Sequence, residues 1–471
     1  MSYELIDDFS AGWDVRKSPL TAPGGSLTHL HNAAINPGGE IEKRRAFVQI
    51  ADLTGSFGLA STAATLYVFG RNVSPSVPTI SVPGVAFKGL KVPNANSALS
   101  QWDYDVFDGN VYLVALEPNV AWRHYYAGGS ATAGNMVETQ GTGKGYIVRT
   151  YQSKMYAVIG KILYFSAVND PMQWDAGTGH GYINLSLQDS DSETLSALEV
   201  YYDKLAVFSS EAIQIWAVDP DPLQNAFVQL LRSTGTLAPR SPLQYGSGDV
   251  LYLDESGIRS VKARDSSNSA AVSDIGSPVD PALLALRRAK GDAYMNTGIA
   301  LLEPSVGRFW LVFSDEIYVL SYFPGPKITA WSHYSLEFTV AHAVTCGGRI
   351  FLRGTNDKLY VYGGNNNQTY DNCGVDVRLP YLSGKKPGHA KIYEAVDMTV
   401  SGTWEARVSY NFNQPDAEES VGIFTQPTWN QGRAELTGYA SHVSMRFYNN
   451  DANAASLSNI AIHYKLADEE A

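Results

Sequence analysis

Two stretches, TYQSKMYAVIGKILYFSAV (150–168) and YYDKLAVFSSEAIQIWAV (201–218), show the pattern that decides the fold. In each, a short polar turn precedes a strand of alternating aromatic and aliphatic residues, and a second turn and strand follow. Such alternation is typical of half-buried β-strands, and Gly, Asp, Asn and Ser suit the tight connections. Four further copies lie at 107–126, 245–263, 305–323 and 346–364. The chain is therefore predicted to be all-β.

The copies recur at the spacing of a four-stranded propeller blade, which needs about 40–50 residues. Six blades are favoured, and seven is the alternative, because ATLYVFGRNV (64–73) forms either a blade of its own or a strand that completes the last blade. Unrelated hairpins in a sandwich or barrel are the competing interpretation. The last residue of each first turn is Asn110, Lys154, Lys204, Asp249, Arg308 and Arg349, at intervals of 44, 50, 45, 59 and 41 residues.

The interval of 59 residues contains a predicted helix. Residues 278–291, PVDPALLALRRAKG, place Asp280 at the N-cap and Pro281 at the first helical position, with basic residues in the last turn and Gly291 after it. We interpret this helix as an insertion in a loop of one blade.

Three regions are predicted from these patterns. Residues 1–50 form an N-terminal arm and a β-hairpin that contribute to the propeller or to a neighbouring subunit, and residues 51–375 form the β-propeller. The repeat ends at the Gly- and Asn-rich break GGNNNQTYDN (363–372). Residues 385–471 then read as an antiparallel β-sandwich domain, because short alternating strands are separated by polar turns.

Composition limits the function classes. The 471 residues carry a formal net charge of −12 and no extended Lys- or Arg-rich run that would bind nucleic acid through its phosphates. Two cysteines, Cys346 and Cys373, form neither a disulfide framework nor a zinc spacing, and they are predicted to be buried free thiols. The acidic N-terminus does not resemble a signal peptide, and no stretch reaches the ~20 apolar residues of a membrane span.

No constellation for catalysis or cofactor binding emerges. GTGKGY (141–146) lacks the spacing of a phosphate loop and leads into a strand. His29 and His31 could offer two metal ligands from one strand face, but no carboxylate or Cys partner can be assigned to them. Acidic residues are scattered over turns, and no pair can be singled out for glycoside hydrolysis. We therefore predict no catalytic, metal or cofactor-binding residue, and a protein whose chemistry is association.

The most distinctive segment of the sequence is N-terminal and reads FSAGWDVRKSPLTAPGGSLTHLHNAAINPGGEIEKRRAF (9–47). A Pro-Gly-Gly turn at 37–39 separates two short strands, because Pro fixes φ and Gly supplies a positive φ. Phe9 and Trp13 are candidate anchors onto the propeller or a neighbouring subunit, with a disordered tail as the alternative. Lys43, Arg44 and Arg45 are candidate ion-pair contacts to an adaptor or a neighbour, or else a strand edge protected by charge.

The combination N-x-x-x-N-P-G-G-x-I-x-K-R-x-x-F (32–47), followed by repeated aromatic hairpins, resembles the tail hub or nozzle proteins of short-tailed bacteriophages of the podovirus type, also called tail stabilisation proteins. The resemblance covers residues 9–363. Further phrases that carry it are LYFSAVNDPMQW (163–174), STGTLAPRS (233–241), GIRSV (257–261) and ITAWSHY (328–334).

This resemblance implies a homohexameric ring in the virion tail, made in the host cytoplasm and placed below the portal and adaptor proteins. The ring would extend the DNA channel, retain the genome, conduct DNA during ejection and hold tail fibre or spike proteins. Six subunits would carry 6 × −12 = −72 charges, so an acidic lumen would let DNA pass without specific binding.

Two other function classes stay open at this point. One is a receptor- or glycan-binding β-propeller, with or without glycan hydrolysis, and the other is an intracellular propeller scaffold. Ring formation by the purified protein would favour the nozzle, whereas sugar binding or sugar release would favour the second class.

Overall fold

The computed structural model of the chain describes residues 2–70, 81–93, 101–116, 122–129, 131–139, 145–188, 194–246, 248–267 and 274–467, without the side chains at 101, 116, 430 and 431. Residues 71–73 of the predicted strand segment and 141–144 of the Gly-rich turn lie outside these ranges. Within them, strands predominate and helices are few and short, which confirms the all-β prediction. None of the described helices has both the length and the apolarity that a membrane span requires.

The N-terminal region contains short strands connected by turns. They are β1 (Ser2–Ile6), β2 (Gly12–Trp13), β3 (Ser26–Leu27), β4 (His29–His31), β5 (Ala33–Ile35), β6 (Ile41–Lys43) and β7 (Phe47–Asp52). The predicted hairpin is confirmed, because β5 and β6 pair antiparallel across the turn at 37–39, where Gly39 has a φ of 82°.

Seven sheets follow in chain order within the described residues, and the sixth is one end of an 11-stranded sheet that continues through β4 into the C-terminal region. The first two contain β8 (Ser56–Ser61), β9 (Thr65–Gly70) and β10 (Ala86–Lys91), then β11 (Gln101–Phe107), β12 (Asn110–Leu116), β13 (Trp122–Tyr126) and β14 (Val137–Glu138). The third and fourth contain β15 (Ile147–Tyr151), β16 (Lys154–Ile159), β17 (Ile162–Phe165) and β18 (Gly181–Asn184), then β19 (Ala197–Tyr201), β20 (Lys204–Phe208), β21 (Ala212–Ala217) and β22 (Ala226–Arg232). The last three contain β23 (Leu243–Tyr245), β24 (Asp249–Asp254) and β25 (Gly257–Ser260), then β26 (Ile299–Glu303), β27 (Arg308–Val312), β28 (Glu316–Phe323) and β29 (Ile328–Ser335), then β30 (Val340–Cys346), β31 (Arg349–Gly354) and β32 (Lys358–Tyr362).

The first strands of these sheets contact one another in a closed ring. Strand β8 contacts β11, which contacts β15, and the chain of contacts continues through β19, β23, β26 and β30 back to β8. Strand β7 pairs antiparallel with β32 and so completes the seventh sheet from the N-terminal side. The architecture is propeller-like, because stacked small sheets around one axis bury one another's faces.

The repeated strand-turn-strand element predicted from the spacing of the copies is present. Each of the six residues that mark the repeat, from Asn110 to Arg349, is the first residue of the second strand of its sheet. Residues 65–70 form the corresponding second strand, β9, of the first sheet. The strand that completes the seventh sheet comes instead from 47–52, so the ring begins a few residues before the predicted boundary at 51.

Helices interrupt the strand pattern after β25. They are α1 (Val261–Ser267), α2 (Asp280–Lys290) and α3 (Asp292–Met295), and 3₁₀ turns occur at Leu185–Leu187 and Pro222–Gln224. The predicted helix is present and ends at Gly291, whose φ is 79°. Its N-cap is Val279 rather than Asp280, and no side chain caps it. Asp280 accepts a 2.9 Å hydrogen bond from Arg259 instead, which anchors the helix to β25.

The C-terminal region forms two antiparallel sheets around a shared core. Its elements are β33 (Val375–Arg378), β34 (Lys391–Ser401), β35 (Trp404–Ser409), β36 (Glu419–Phe424), α4 (Thr428–Gln431), β37 (Ala434–Ala440), β38 (Ser444–Asn449) and β39 (Ser456–Leu466). One sheet has the order β37-β34-β39, and the other has the order β33-β38-β35-β36. Met398, Trp404, Phe447 and Ile460 are fully buried in the core, and this region begins at 375 rather than 385.

The N-terminal strands join the C-terminal region to the ring. Strands β1 and β6 both pair with β39, and β4 lies between β29 of the sixth ring sheet and β33. The predicted hairpin therefore joins the C-terminal sheet and also packs on the sixth ring sheet, where Arg308 of β27 donates to the carbonyl of Ile35 and to Glu42. Burial of apolar side chains stabilises the pairing with the C-terminal sheet, since Ile35 and Ile41 are fully buried and Ile41 pairs with Leu457.

Candidate functional sites

Phe9 and Trp13, the candidate anchors of the arm, lie inside this chain. Phe9 is fully buried in the largest apolar cluster, which also contains residues of the ring and of the C-terminal sheets. Trp13 stacks on Tyr318 at a ring-centroid distance of 5.9 Å, and its indole N–H donates to the carbonyl of Thr28. Both side chains fix the arm across the junction of the two regions, so neither offers a free surface to a neighbouring subunit.

Lys43 and Arg44 are also enclosed. The Lys43 ammonium donates to Asn449 Oδ1 at 2.8 Å and to the carbonyl of Asp451, which ties β6 to the C-terminal region. Burial lowers the pKa of Lys43. Arg44 donates to Asn32 Oδ1 at 3.0 Å and pairs with Asp371 at 3.1 Å. These contacts assign both cations to intramolecular bonding, in contrast to the predicted contacts with an adaptor.

Arg45 is the one member of the basic run with a substantially exposed side chain. Its guanidinium lies 3.8 Å from Glu303, whose carboxylate also accepts from the Trp310 indole at 3.2 Å. About a quarter of the Arg45 side chain is exposed, so a contact to another subunit remains a prediction for this residue alone.

His29 and His31 lie in β4 beside His333 of β29. The Nδ1 atoms of His31 and His333 are 2.9 Å apart, while His333 Nε2 is 3.2 Å from Glu316 and His29 Nε2 is 3.6 Å from Asp376. Burial and the neighbouring histidines lower the pKa of His31 to about 4. No group of three or more potential ligands in the described ranges has the geometry of a metal site. The cluster lies at the seam between the ring and the C-terminal region.

The axis of the ring contains a polar cluster that the sequence analysis did not single out. Asp103, Arg149 and Glu199 lie on β11, β15 and β19, the first strands of three successive sheets. Arg149 donates to Asp103 at 3.1 Å and to Glu199 at 3.0 Å. Each is the third residue of its strand, so the same position in successive repeats was the signal available in the sequence.

The carboxylates of this cluster accept hydrogen bonds from backbone N–H groups. Asp103 accepts from the N–H of Val148 at 3.0 Å, and Glu199 accepts from the N–H of Val200, also at 3.0 Å. Asp105 accepts from the N–H groups of Thr150 and Val106, and burial raises its pKa to about 6. The bonds from Val148 to Asp103 and from Thr150 to Asp105 connect β15 with β11, so the cluster acts as an internal brace.

Two cavities adjoin the first strands of the ring sheets. The lower cavity, of about 590 Å³, contains the acidic cluster, and the upper cavity, of about 870 Å³, lies where the first strands begin. Trp102 and Arg240 line both cavities. Trp102 packs on His342 with ring centroids 3.7 Å apart, and Arg240 donates to His342 Nδ1 at 2.7 Å.

Eight of the exposed apolar side chains form two groups in different regions. The C-terminal apolar group lies on the outer face of the sheet β37-β34-β39 with β1 and comprises Tyr3, Leu5, Trp429 and Tyr439. The outer-edge apolar group lies on the last strands and adjoining turns of the third and fourth ring sheets and comprises Tyr182, Leu187, Leu223 and Val228. Trp429 is 59% exposed and Leu223 88% exposed. Aromatic side chains left in water in this way are typical of protein–protein contacts.

Comparisons with known proteins identify no family. No family model matches the chain, and no curated protein matches it. Among solved structures, the chain is similar to the extracellular domain of a candidate one component system of B. thetaiotaomicron, with 9% identity, a TM-score of 0.44 and coverage of 93% of this chain and 63% of that one. The chain thus spans less than two thirds of that domain's length.

Two further structures are similar at a lower level. A functionally unknown protein from Desulfotomaculum acetoxidans has 8% identity, a TM-score of 0.35 and coverage of 57% of this chain and 87% of that one. A candidate 6-phosphogluconolactonase from Bacteroides uniformis has 12% identity, a TM-score of 0.36 and coverage of 69% and 90%. Likenesses at this level carry no argument about function.

Proposed function

We propose that this chain is a structural subunit of the tail nozzle of a short-tailed bacteriophage, built on a seven-bladed β-propeller. In the virion the subunits form a homohexameric ring below the portal and adaptor, retain the genome and conduct DNA during ejection. The closed ring of seven first strands supports this blade count. We propose seven blades, the alternative that the sequence left open, rather than the six favoured by the spacing, because residues 56–70 supply a further sheet with only weak likeness to the repeat.

The observation that carries the assembly proposal is the pair of exposed apolar groups. They lie on different regions of the chain, one on the C-terminal sheet and one on the outer strands of the third and fourth ring sheets. A surface that binds a second, different surface on an identical copy gives a head-to-tail contact, and a closed series of such contacts gives a ring. A symmetric dimer would need only one of the two groups.

The axial cluster also favours a structural function over an enzymatic one. Asp103, Asp105 and Glu199 already accept hydrogen bonds from backbone N–H groups, and Arg149 neutralises two of them. A general acid or nucleophile needs an oxygen that is free to meet a substrate. The same bonds make a rigid subunit, which suits a ring that has to withstand the pressure of packaged DNA.

The charge of the chain fits a conduit for DNA. Each subunit carries −12, and six carry −72. An acidic wall repels phosphates, which occur at one charge per ~1.7 Å of duplex, and so DNA slides without adhering. Tail fibre or spike proteins are the proposed partners at the outer side of the ring.

Imaging and mass measurement of the purified chain test this proposal. We expect six-fold rings, either alone or after addition of the portal and adaptor proteins. Trp429→Glu with Tyr439→Lys, and separately Leu223→Glu, should each abolish ring formation and leave folded monomers, because either change removes one half of the head-to-tail contact. Tyr202→Lys, at an exposed aromatic residue outside both groups, is the matched control. Rings that survive both sets of changes would contradict the proposed contact.

A further inference from the structure

Arg240 differs from the other arginine of the ring axis in having no acidic partner. Arg149 pairs with two carboxylates, whereas Arg240 contacts His342 and lies 5.8 Å from the centre of the Trp102 ring. Among the described residues, no acceptor bonds to its Nε or Nη2 atoms. Asp103 is the acidic residue that influences Arg240 electrostatically, and it is already engaged by Arg149 and by the N–H of Val148.

Arg240 lines both cavities, so its uncompensated charge is accessible from the upper cavity as well as from the lower one, which His342 lines. Burial and the neighbouring arginines Arg240 and Arg353 keep the pKa of His342 well below its usual value, so His342 is neutral and accepts from Arg240. A partly desolvated guanidinium without a counter-ion is unfavourable, and the fork of its remaining N–H groups matches a carboxylate. The cost is recovered when an anion binds there.

The wall beside Arg240 is aromatic. Trp122 and Tyr146 lie with their ring centres 5.3 Å apart and their planes 31° apart, and both line the upper cavity together with Trp102. Aromatic faces pack against flat apolar surfaces, including the C–H face of a pyranose ring. Inorganic anions have no such face and would leave this wall in contact with water.

Small polar side chains also line the cavity. Hydroxyl and amide groups that can bond to sugar hydroxyls are supplied by Thr194, Ser196, Asn296, Ser314, Thr339 and Thr355. A volume of about 870 Å³ falls in the range of small-molecule sites and accommodates one or two sugar rings. A cation, an aromatic wall and a hydroxyl-rich wall together match one ligand class.

We propose that the upper axial cavity binds an acidic sugar, with the sugar carboxylate on Arg240 and the ring against Trp122 and Tyr146. The site is independent of the head-to-tail contact, because its residues lie on the axis of a single subunit and in neither exposed apolar group. The proposal therefore stands or falls separately from ring assembly.

Ligand-observed NMR titration of the full chain with glucuronate, glucose and inorganic phosphate tests it. Glucuronate should bind at least about tenfold more tightly than glucose, since a charge-assisted pair contributes on the order of 1.4 kcal/mol, which is tenfold in affinity. Arg240→Gln should reduce glucuronate binding to the level of glucose. Trp122→Ala should weaken both sugars, and Arg407→Gln, at an exposed ion pair far from the axis, should change neither.

Three results would overturn the proposal. They are an absence of glucuronate binding, equal affinities for glucuronate and glucose, and phosphate binding as tight as that of glucuronate, which would indicate a simple anion site. Circular dichroism establishes that each variant is folded. Should Arg240→Gln fail to fold, Arg240→Lys keeps the charge but loses the planar fork and should retain only part of the preference for glucuronate.

Discussion

Replacing Arg149 by Met should remove the cation that holds three successive first strands of the ring together. Arg149 is bonded to Asp103 at 3.1 Å and to Glu199 at 3.0 Å, and all three side chains are at most 15% exposed. Removing one partner of a buried ion pair costs about 3–5 kcal/mol, because the remaining charge stays uncompensated. We expect the lower end of this range, since the N–H groups of Val148 and Val200 still bond to the two carboxylates.

Urea unfolding followed by far-UV circular dichroism measures this loss. The matched control is Arg407→Met, which removes an exposed pair with Glu405 and should cost far less, because solvent screens an exposed pair. Equal losses in the two variants would refute the assignment of Asp103, Arg149 and Glu199 as a brace.

Two further predictions concern groups whose pKa is shifted by burial. Burial, His333 and His29 lower the pKa of His31 to about 4, and Asp376 and Arg44 also lie nearby. Below pH ~6.5 the unfolded chain therefore binds more protons than the folded chain. The free energy of unfolding should fall by up to about 3 kcal/mol between pH ~6.5 and 4. His31→Gln should flatten this part of the pH profile and His180→Gln should not, and an unchanged profile in His31→Gln would count against the seam cluster. Burial raises the pKa of Cys346 to about 11 and that of Cys373 to about 12, so both thiols should react with a disulfide reagent only after unfolding, and rapid reaction of the native protein would contradict their burial.

The repeated strand-turn-strand unit was predictable because each copy contains the whole signal within a short stretch of sequence. Alternation within a strand and polar residues in a turn act over fewer than ten residues, and the second strand of six sheets begins at the residue that the spacing identified. The helix after β25 was predicted for the same reason. Its N-cap was wrong by one residue, because Asp280 bonds to Arg259, a partner distant in sequence.

Long-range pairings were not predictable from these local signals. Lys43 and Arg44 have the composition of a solvated strand edge, yet Asn449 and Asp371, more than 320 residues away, enclose them. Likewise, Asp103, Arg149 and Glu199 resemble scattered charges until the ring brings β11, β15 and β19 together. The sequence leaves the contacts of the arm open between the propeller and a neighbouring subunit, because it does not reveal that partners of the arm lie in its own C-terminal region.

The pairing of β7 with β32 also constrains how the protein is made. Strand β7 is synthesised early but pairs with β32, about three hundred residues further along the chain. Strands β1 and β6 pair with β39, which is synthesised later still. Contacts so distant in sequence form slowly. A truncated nascent chain is therefore an open stack of sheets with an unpaired edge, and chaperones meet that species before the closed ring exists.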